Sequence, residues 1–198
     1  MRIWIAAPIL GAMTLVLAGR LSAQDEKKVD LQIGDAAPVF TLPDDQGKQW
    51  KSADLVGKKY LVVYFFPADF TSGCRAQAQK FRDNMNALND KGIVVVGISG
   101  DAVLTHAHFK KAEKLNFTLL ADEDGGVAKK FGVPLSKGGE VRAKDADGMP
   151  LVLKRQVTAA RWTFIIGLDG KIAYKNTKVS PAEDSKQVGD FIEKLQKK

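Results

Sequence analysis

The sequence predicts an α/β domain with a mixed central β-sheet flanked by helices and an N-terminal β-hairpin. Three observations carry this. First, residues 60–66 and 93–98 are continuous β-branched or aromatic runs, the pattern of strands buried on both faces. Second, segments with helical apolar spacing alternate with them, which implies right-handed crossovers and parallel strands. Third, two apolar runs flank Gly167-Leu168-Asp169-Gly170, a closing hairpin that adds an antiparallel edge.

The elements follow in order. Val39 to Leu42 reads as a short strand, and Asp44-Asp45-Gln46-Gly47-Lys48 is turn chemistry, so 39–51 forms a hairpin. Pro67 stops the strand at 60–66. A helix spans Ser72 to Asn89, with Ala78, Phe81, Met85 and Leu88 on one face and Gly92 closing it. After the strand at 93–98, Asp101 is placed to cap a helix over 102–114. Phe117 to Leu120 is a short strand, and Asp122 to Phe131 a short helix ended by Gly132. Residues 134–157 read as loop, with Leu151-Val152-Leu153 as one strand candidate. Trp162 to Ile166 and Lys171 to Tyr174 make the closing hairpin. Pro181 to Gln196 is the last helix, with Val188, Phe191, Ile192 and Leu195 on one side.

The 198 residues suit one domain plus a targeting segment. Residues 1–23 read as a signal peptide: Arg2, then an uncharged stretch from Ile3 to Ala18, then Leu21-Ser22-Ala23 as the cleavage site. Residues 24–35 read as a flexible lead-in and 36–198 as the folded domain. The expected location is therefore exported, periplasmic or secreted. The alternative is a membrane anchor by an uncleaved N-terminus, although the apolar run is short of the roughly 20 residues a spanning helix needs. The net charge of +7 falls to +5 once Arg2 and Arg20 leave with the signal. The lysines are scattered among acids and form no stripe interleaved with aromatics, so nucleic acid is not an expected partner.

The chain has one cysteine, Cys74, which excludes an internal disulfide and a cysteine-based zinc site. Cys74 falls at the start of the first long helix, directly after a buried strand. Free backbone N–H groups and the helix dipole there stabilise a thiolate relative to a thiol. A small buried core residue is the other common fate of a free cysteine, but a strand–loop–helix junction is a poor place for it. His106 and His108 lie two apart and point to different sides of a helix, so no metal site is expected. Asp122-Glu123-Asp124 reads as an acidic cluster at a helix start. No cofactor motif is present.

The segment Pro67-Ala68-Asp69-Phe70-Thr71-Ser72-Gly73-Cys74 resembles the active-site motif of the peroxiredoxins, most closely the bacterioferritin-comigratory-protein or PrxQ-like branch of the AhpC/TSA family. The resemblance extends through Gly97-Ile98-Ser99, His106 and Phe109, Leu119 to Asp122, Phe131-Gly132-Val133, and Arg161 to Ile166 with Asp169-Gly170. It implies a thioredoxin-like fold and a thiol peroxidase. Cys74 would be the nucleophile, and the Thr71 hydroxyl would hydrogen-bond the thiolate and a peroxide oxygen. Pro67 would shield the site, and Arg161 would polarise the peroxide. Taken alone, Thr71 reads as a helix cap and Arg161 as a solvated strand-end charge. Peroxide reduction needs a thiolate, aligned donors and fixed positive charge, which is why the set reads differently together.

Three departures shape the expectation. Many relatives carry a second, resolving cysteine five residues after the first, where this chain has Gln79. An external thiol or a thioredoxin-like reductant would have to resolve the Cys74 sulfenic acid, so the resemblance implies a one-cysteine peroxidase for hydrogen peroxide or organic hydroperoxides, as a monomer or homodimer. Ser72 stands where relatives often have proline. Segment 134–160 looks longer than in compact relatives and reads as an inert surface insertion, with a cover over the site or a partner surface as alternatives. The alternative function is a redox sensor or binding module whose Cys74 is oxidised without turning over. A thiol–disulfide oxidoreductase is disfavoured because the C-x-x-C pair is missing.

Overall fold

A computed structural model describes residues 29–197. The signal-peptide expectation for 1–23 lies outside the described residues. The hairpin comes first, with β1 (Thr41–Pro43) antiparallel to β2 (Gln49–Lys51) and the Asp44 carboxylate accepting the Gln46 and Lys48 amides across the turn. The two long apolar runs become β3 (Tyr60–Phe65) and β4 (Ile93–Ser99), paired in parallel. Strand β5 (Thr118–Ala121) continues the parallel side. Strands β10 (Trp162–Ile166) and β11 (Ile172–Asn176) form the antiparallel side, and the sheet order is β11-β10-β3-β4-β5.

Side chains alternate along β3 into two cores. Val62 and Tyr64 face one core, with Phe66 just past the strand joining them there. This core holds Phe81, Met85 and Leu88 of α1 (Ser72–Asp90), Phe109 of α2 (Val103–Glu113), and Val188 and Ile192 of α4 (Asp184–Gln196). Leu61, Val63 and Phe65 face the other, with Phe40, Leu42, Phe164 and the α3 (Gly126–Lys130) residues Val127 and Ala128. Burial on both faces explains the lack of polar alternation in these strands. This is the thioredoxin-like arrangement expected, a mixed five-stranded sheet between helices.

Several local expectations are corrected. Asp101 does not cap α2, whose N-cap is Ala102; its carboxylate instead accepts hydrogen bonds from the Asp69 amide and the Ser99 hydroxyl. Capping at α3 falls to Asp122, which accepts from the Val127 and Ala128 amides several residues ahead. The last helix starts at Asp184, so Pro181 lies in the turn before it. Residues 29–35, part of the lead-in expected to be flexible, run along β11: Gly34 N–H donates to the Ile172 carbonyl and Ile172 N–H to that of Asp35.

The largest correction concerns 134–157. It holds three strands and the start of a fourth rather than a loop with one strand: β6 (Leu135–Lys137), β7 (Glu140–Lys144), β8 (Pro150–Lys154) and β9 (Val157–Ala159). Strand β6 pairs with β9, and β7 pairs with β8. The period-2 pattern is present, since Val141, Ala143, Leu151 and Leu153 all turn inward onto the core that contains Phe70 and Cys74. Intervening lysines and arginines on the outer side hide that pattern in the sequence.

Candidate active site

Strand β3 ends at Phe65, and the chain turns over Pro67 to Thr71 before α1 begins. Thr71 is the extended N-cap residue of α1, so Cys74 lies in the first helical turn, where backbone N–H groups are unpaired within the helix. Cys74 is only 2% exposed. Its sulfur therefore meets a small set of neighbours rather than bulk water.

Arg161 is one of them. It precedes β10, which pairs antiparallel with β3, and the register Trp162↔Phe65 brings the start of β10 to the end of β3. Arg161 Nη2 donates to Cys74 Sγ at 3.2 Å. Its Nη1 donates to Gln77 Oε1 in a short hydrogen bond. Gln77 lies three residues after Cys74 on the same helix face and is fully buried. Gln77 Nε2 donates to Asp184 Oδ2 at 2.7 Å, and the Thr163 hydroxyl donates to the same oxygen at 2.8 Å. Thus a buried relay runs from the sulfur through Arg161 and Gln77 to a carboxylate at the start of α4. Burial raises the Asp184 carboxyl above its ordinary range, with the Thr163 and Gln77 hydrogen bonds and the Arg161 charge acting in the opposite direction.

Thr71 is placed differently from either expectation. Its hydroxyl neither caps α1 nor donates to the sulfur; it donates to the Ala68 carbonyl at 3.1 Å. The extended N-cap conformation turns the side chain back into the loop, leaving the oxygen lone pairs as its remaining capacity. Pro67 is half-buried at the loop entrance.

The loop itself is held from several sides. Phe70 adopts φ 62°, a left-handed conformation that is unfavourable for a bulky residue and persists where neighbours over-determine it. Arg75 Nε donates to the Phe70 carbonyl, its guanidinium stacks 5.3 Å over the Phe70 ring, and it pairs with Glu113 at 3.1 Å. Phe109 of α2 packs on the Phe70 ring at 5.1 Å. Beneath them Asp69 is buried against His106, whose Nδ1–H donates to Oδ2 at 2.8 Å while Nε2 faces the Leu120 carbonyl at 3.2 Å. Two acceptors on the two ring nitrogens match a doubly protonated imidazole. Burial lifts the Asp69 carboxyl to about 6, opposed by the His106 charge and hydrogen bond. Burial works to lower His106, but the Asp69 charge, its hydrogen bond and Asp101 together raise it.

Reading by residue type missed Gln77, Thr163, Asp184 and the Asp69–His106 pair as parts of the site. Gln77 was findable from its i+3 spacing to Cys74. Asp69 lies inside the motif, but nothing in the sequence links it to His106. Asp184 carries no local signal at all. Among the described residues there is no group of acids, histidines or cysteine able to hold a metal ion.

Several known proteins are similar to this chain in sequence and in fold. The chain is 42% identical to peroxiredoxin Bcp of Escherichia coli over 144 residues, 73% of this chain and 84% of that one. It is 37% identical to chloroplastic peroxiredoxin Q of Oryza sativa subsp. japonica over 164 residues, 82% of this chain and 66% of the relative. In structure it superposes on peroxidoxin BcpB of Mycobacterium tuberculosis with a TM-score of 0.69 and 27% identity, covering 84% of this chain and 99% of the other. The bacterioferritin comigratory protein of Xanthomonas campestris shares the fold, with a TM-score of 0.66 at 24% identity, 83% of this chain and 97% of that one being covered. The AhpC/TSA family profile matches residues 33–175, a span containing the Cys74 loop, Arg161 and all of the five-stranded sheet except its final residue, Asn176. With that match and these relatives, the chain belongs to the AhpC/TSA family as a peroxiredoxin of the Bcp and peroxiredoxin Q kind, a thiol-dependent peroxidase with a single cysteine.

Proposed function

We propose that the protein is an exported, one-cysteine peroxidase that reduces hydrogen peroxide or organic hydroperoxides and is recycled by an external thiol. The observation that carries this reading is the Arg161 guanidinium 3.2 Å from Cys74 Sγ, in a chain with no second cysteine.

The chemistry follows from the placement. The Cys74 thiolate attacks one peroxide oxygen in line with the O–O bond. An S–O bond forms, the O–O bond breaks, and the electron pair leaves on the second oxygen, which takes a proton to become water or an alcohol. Arg161 donates to the charged atoms along that line without giving up its proton. The Thr71 hydroxyl, already donating to Ala68, has lone pairs free to accept the peroxide O–H and orient it. Pro67 narrows the entrance. Gln77 and Asp184 hold Arg161 in register. The Cys74 sulfenic acid then condenses with an external thiol, releasing water and leaving a mixed disulfide. A second thiol attacks the partner sulfur, frees Cys74 and departs as a disulfide. A small thiol and a thioredoxin-like protein are the two classes of reductant that this cycle accepts.

The test is stopped-flow reaction of the reduced mature protein with one equivalent of hydrogen peroxide, followed by mass spectrometry at Cys74. Rapid, stoichiometric sulfenic acid supports the reading, whereas a rate no better than that of a free thiol toward hydrogen peroxide and organic hydroperoxides alike overturns it. Export rests on residues 1–23 and is tested by the mass of the exported protein: retention of Met1 would mean an uncleaved anchor.

A further inference from the structure

The reaction as derived uses Cys74, Thr71, Arg161 and the groups behind Arg161. It leaves unused the buried charges under the loop. Asp69 gives Oδ2 to His106, while its Oδ1 is buried without a hydrogen-bond partner. A second orphaned atom is Nη1 of Arg155, buried where the link between β8 and β9 turns inward. The Arg155 charge is the smallest of the influences that hold the Asp69 carboxyl down against burial.

The arm carrying Arg155 packs directly on the loop's anchors. A Cβ on Gly100 would lie 2.3 Å from the Val157 carbonyl oxygen, so β9 sits tight on the Ser99–Asp101 turn. That turn presents the Asp101 oxygen which accepts the Asp69 amide at 2.9 Å. Arg155 is oriented by Nε donation to the Thr158 hydroxyl at 2.9 Å and by its own amide donating to the Gly139 carbonyl at 3.0 Å. At the far end, Lys111 of α2 pairs with Asp147 at 2.9 Å and ties down the β7–β8 hairpin.

We propose that Arg155, half-buried with its Nη1 turned inward, is a positioning residue that completes with buried Asp69, His106 and Asp101 a charge cluster holding the Pro67–Thr71 loop, and so Cys74, in the geometry that attacks peroxide. This rests on the peroxidase reading above. The charges come from each element at the cluster: Asp69 from the loop, Asp101 from the turn after β4, His106 from α2 and Arg155 from the arm, while β5 supplies the Leu120 carbonyl. Two carboxylates and two cations balance. Without Arg155 the cluster holds one uncompensated negative charge, relieved by protonating Asp69 or by opening the loop to water. The 134–160 segment is then a clamp on the loop rather than an inert insertion.

The experiment compares Arg155→Met, Arg155→Gln and Arg155→Lys with the wild type in the intact mature protein. The pH profile of Cys74 oxidation by hydrogen peroxide is read by stopped flow, and the Asp69 carboxyl titration by carbon-13 NMR. In the Met and Gln variants the Asp69 midpoint should rise from about 6 by about one pH unit, and the acid limb of the rate should move with it. The rate should fall about twofold at pH 7 and about tenfold near pH 5, and Lys, which restores the charge, should recover both. A merely structural role would not move a titration midpoint, and the agreement of Met with Gln separates charge from packing. An unmoved midpoint, or a moved midpoint with an unchanged rate profile, overturns the proposal. If the wild type itself reacts no faster than a free thiol, the peroxidase reading fails instead, and the Asp69 titration still decides whether Arg155 belongs to the cluster.

Discussion

Arg161 Nη2 lies 3.2 Å from Cys74 Sγ, although 87 residues of chain separate them. The antiparallel pairing of β10 with β3 creates that proximity, and the hydrogen bond from Nη1 to Gln77 fixes the guanidinium's orientation. The charge on Arg161 is therefore aimed before any peroxide arrives.

Replacing Arg161 by Ala removes that charge and leaves the Gln77 carbonyl oxygen without its donor. The rate of Cys74 oxidation should fall by about 10²–10³, the usual loss for a preorganised donor at developing negative charge. Stopped flow measures the rate, and an unchanged circular dichroism spectrum establishes that the fold is kept. A loss below threefold would remove Arg161 from the reaction.

Thr71 should separate by chemistry rather than size. Thr71→Val loses both the donation to Ala68 and the lone pairs proposed to orient peroxide, and should slow oxidation about tenfold or more. Thr71→Ser keeps the hydroxyl and should stay close to the wild type. Equal rates for the two variants would mean that the hydroxyl does not touch peroxide.

Asp184 acts through other groups. In Asp184→Ala the Gln77 amide and the Thr163 hydroxyl both lose their buried acceptor, at a cost of about 1–3 kcal/mol for each unsatisfied group. Urea unfolding measures this. Oxidation should slow less than in Arg161→Ala, because Arg161 keeps its charge but loses its alignment. Unchanged stability would show that the relay ends at Gln77.

The Asp69–His106 pair makes stability depend on pH. Both folded values are raised, Asp69 to about 6 by burial and His106 by its acidic neighbours despite burial. A raised value contributes stability that is present below the unfolded value and lost as pH climbs through the folded one. The pair's contribution should therefore decline from near pH 4 through about 6 for Asp69, and again above about 6.5 for His106. His106→Ala leaves the buried carboxylate unpaired and should cost about 3–5 kcal/mol near pH 7. Chemical unfolding at a series of pH values checks both, and a His106→Ala curve parallel to that of the wild type would contradict the assignment.

Hydrophobic pattern alone determined much of the fold: the buried strands, the crossover helices and the closing hairpin, because burial on both faces or on one stripe leaves its mark in residue order. The peroxidatic motif was equally local, since Pro67, Thr71 and Cys74 lie within one strand–loop–helix junction. What the order of residues did not reveal is which distant groups meet. Only the family resemblance implied Arg161 at the site, and the register of β10 on β3 is the physical reason that it touches the sulfur. The docking of α4 on α1 set Asp184 behind Gln77, and the packing of α2 under the loop gave Asp69 its histidine. The strands of 134–160 were masked for a related reason. Their outer side is charged, and their inner side becomes apolar surface to bury only once the rest of the fold supplies the core it covers. Long-range pairing of charges and of sheet edges is a property of the folded surface, and only the tertiary structure contains it.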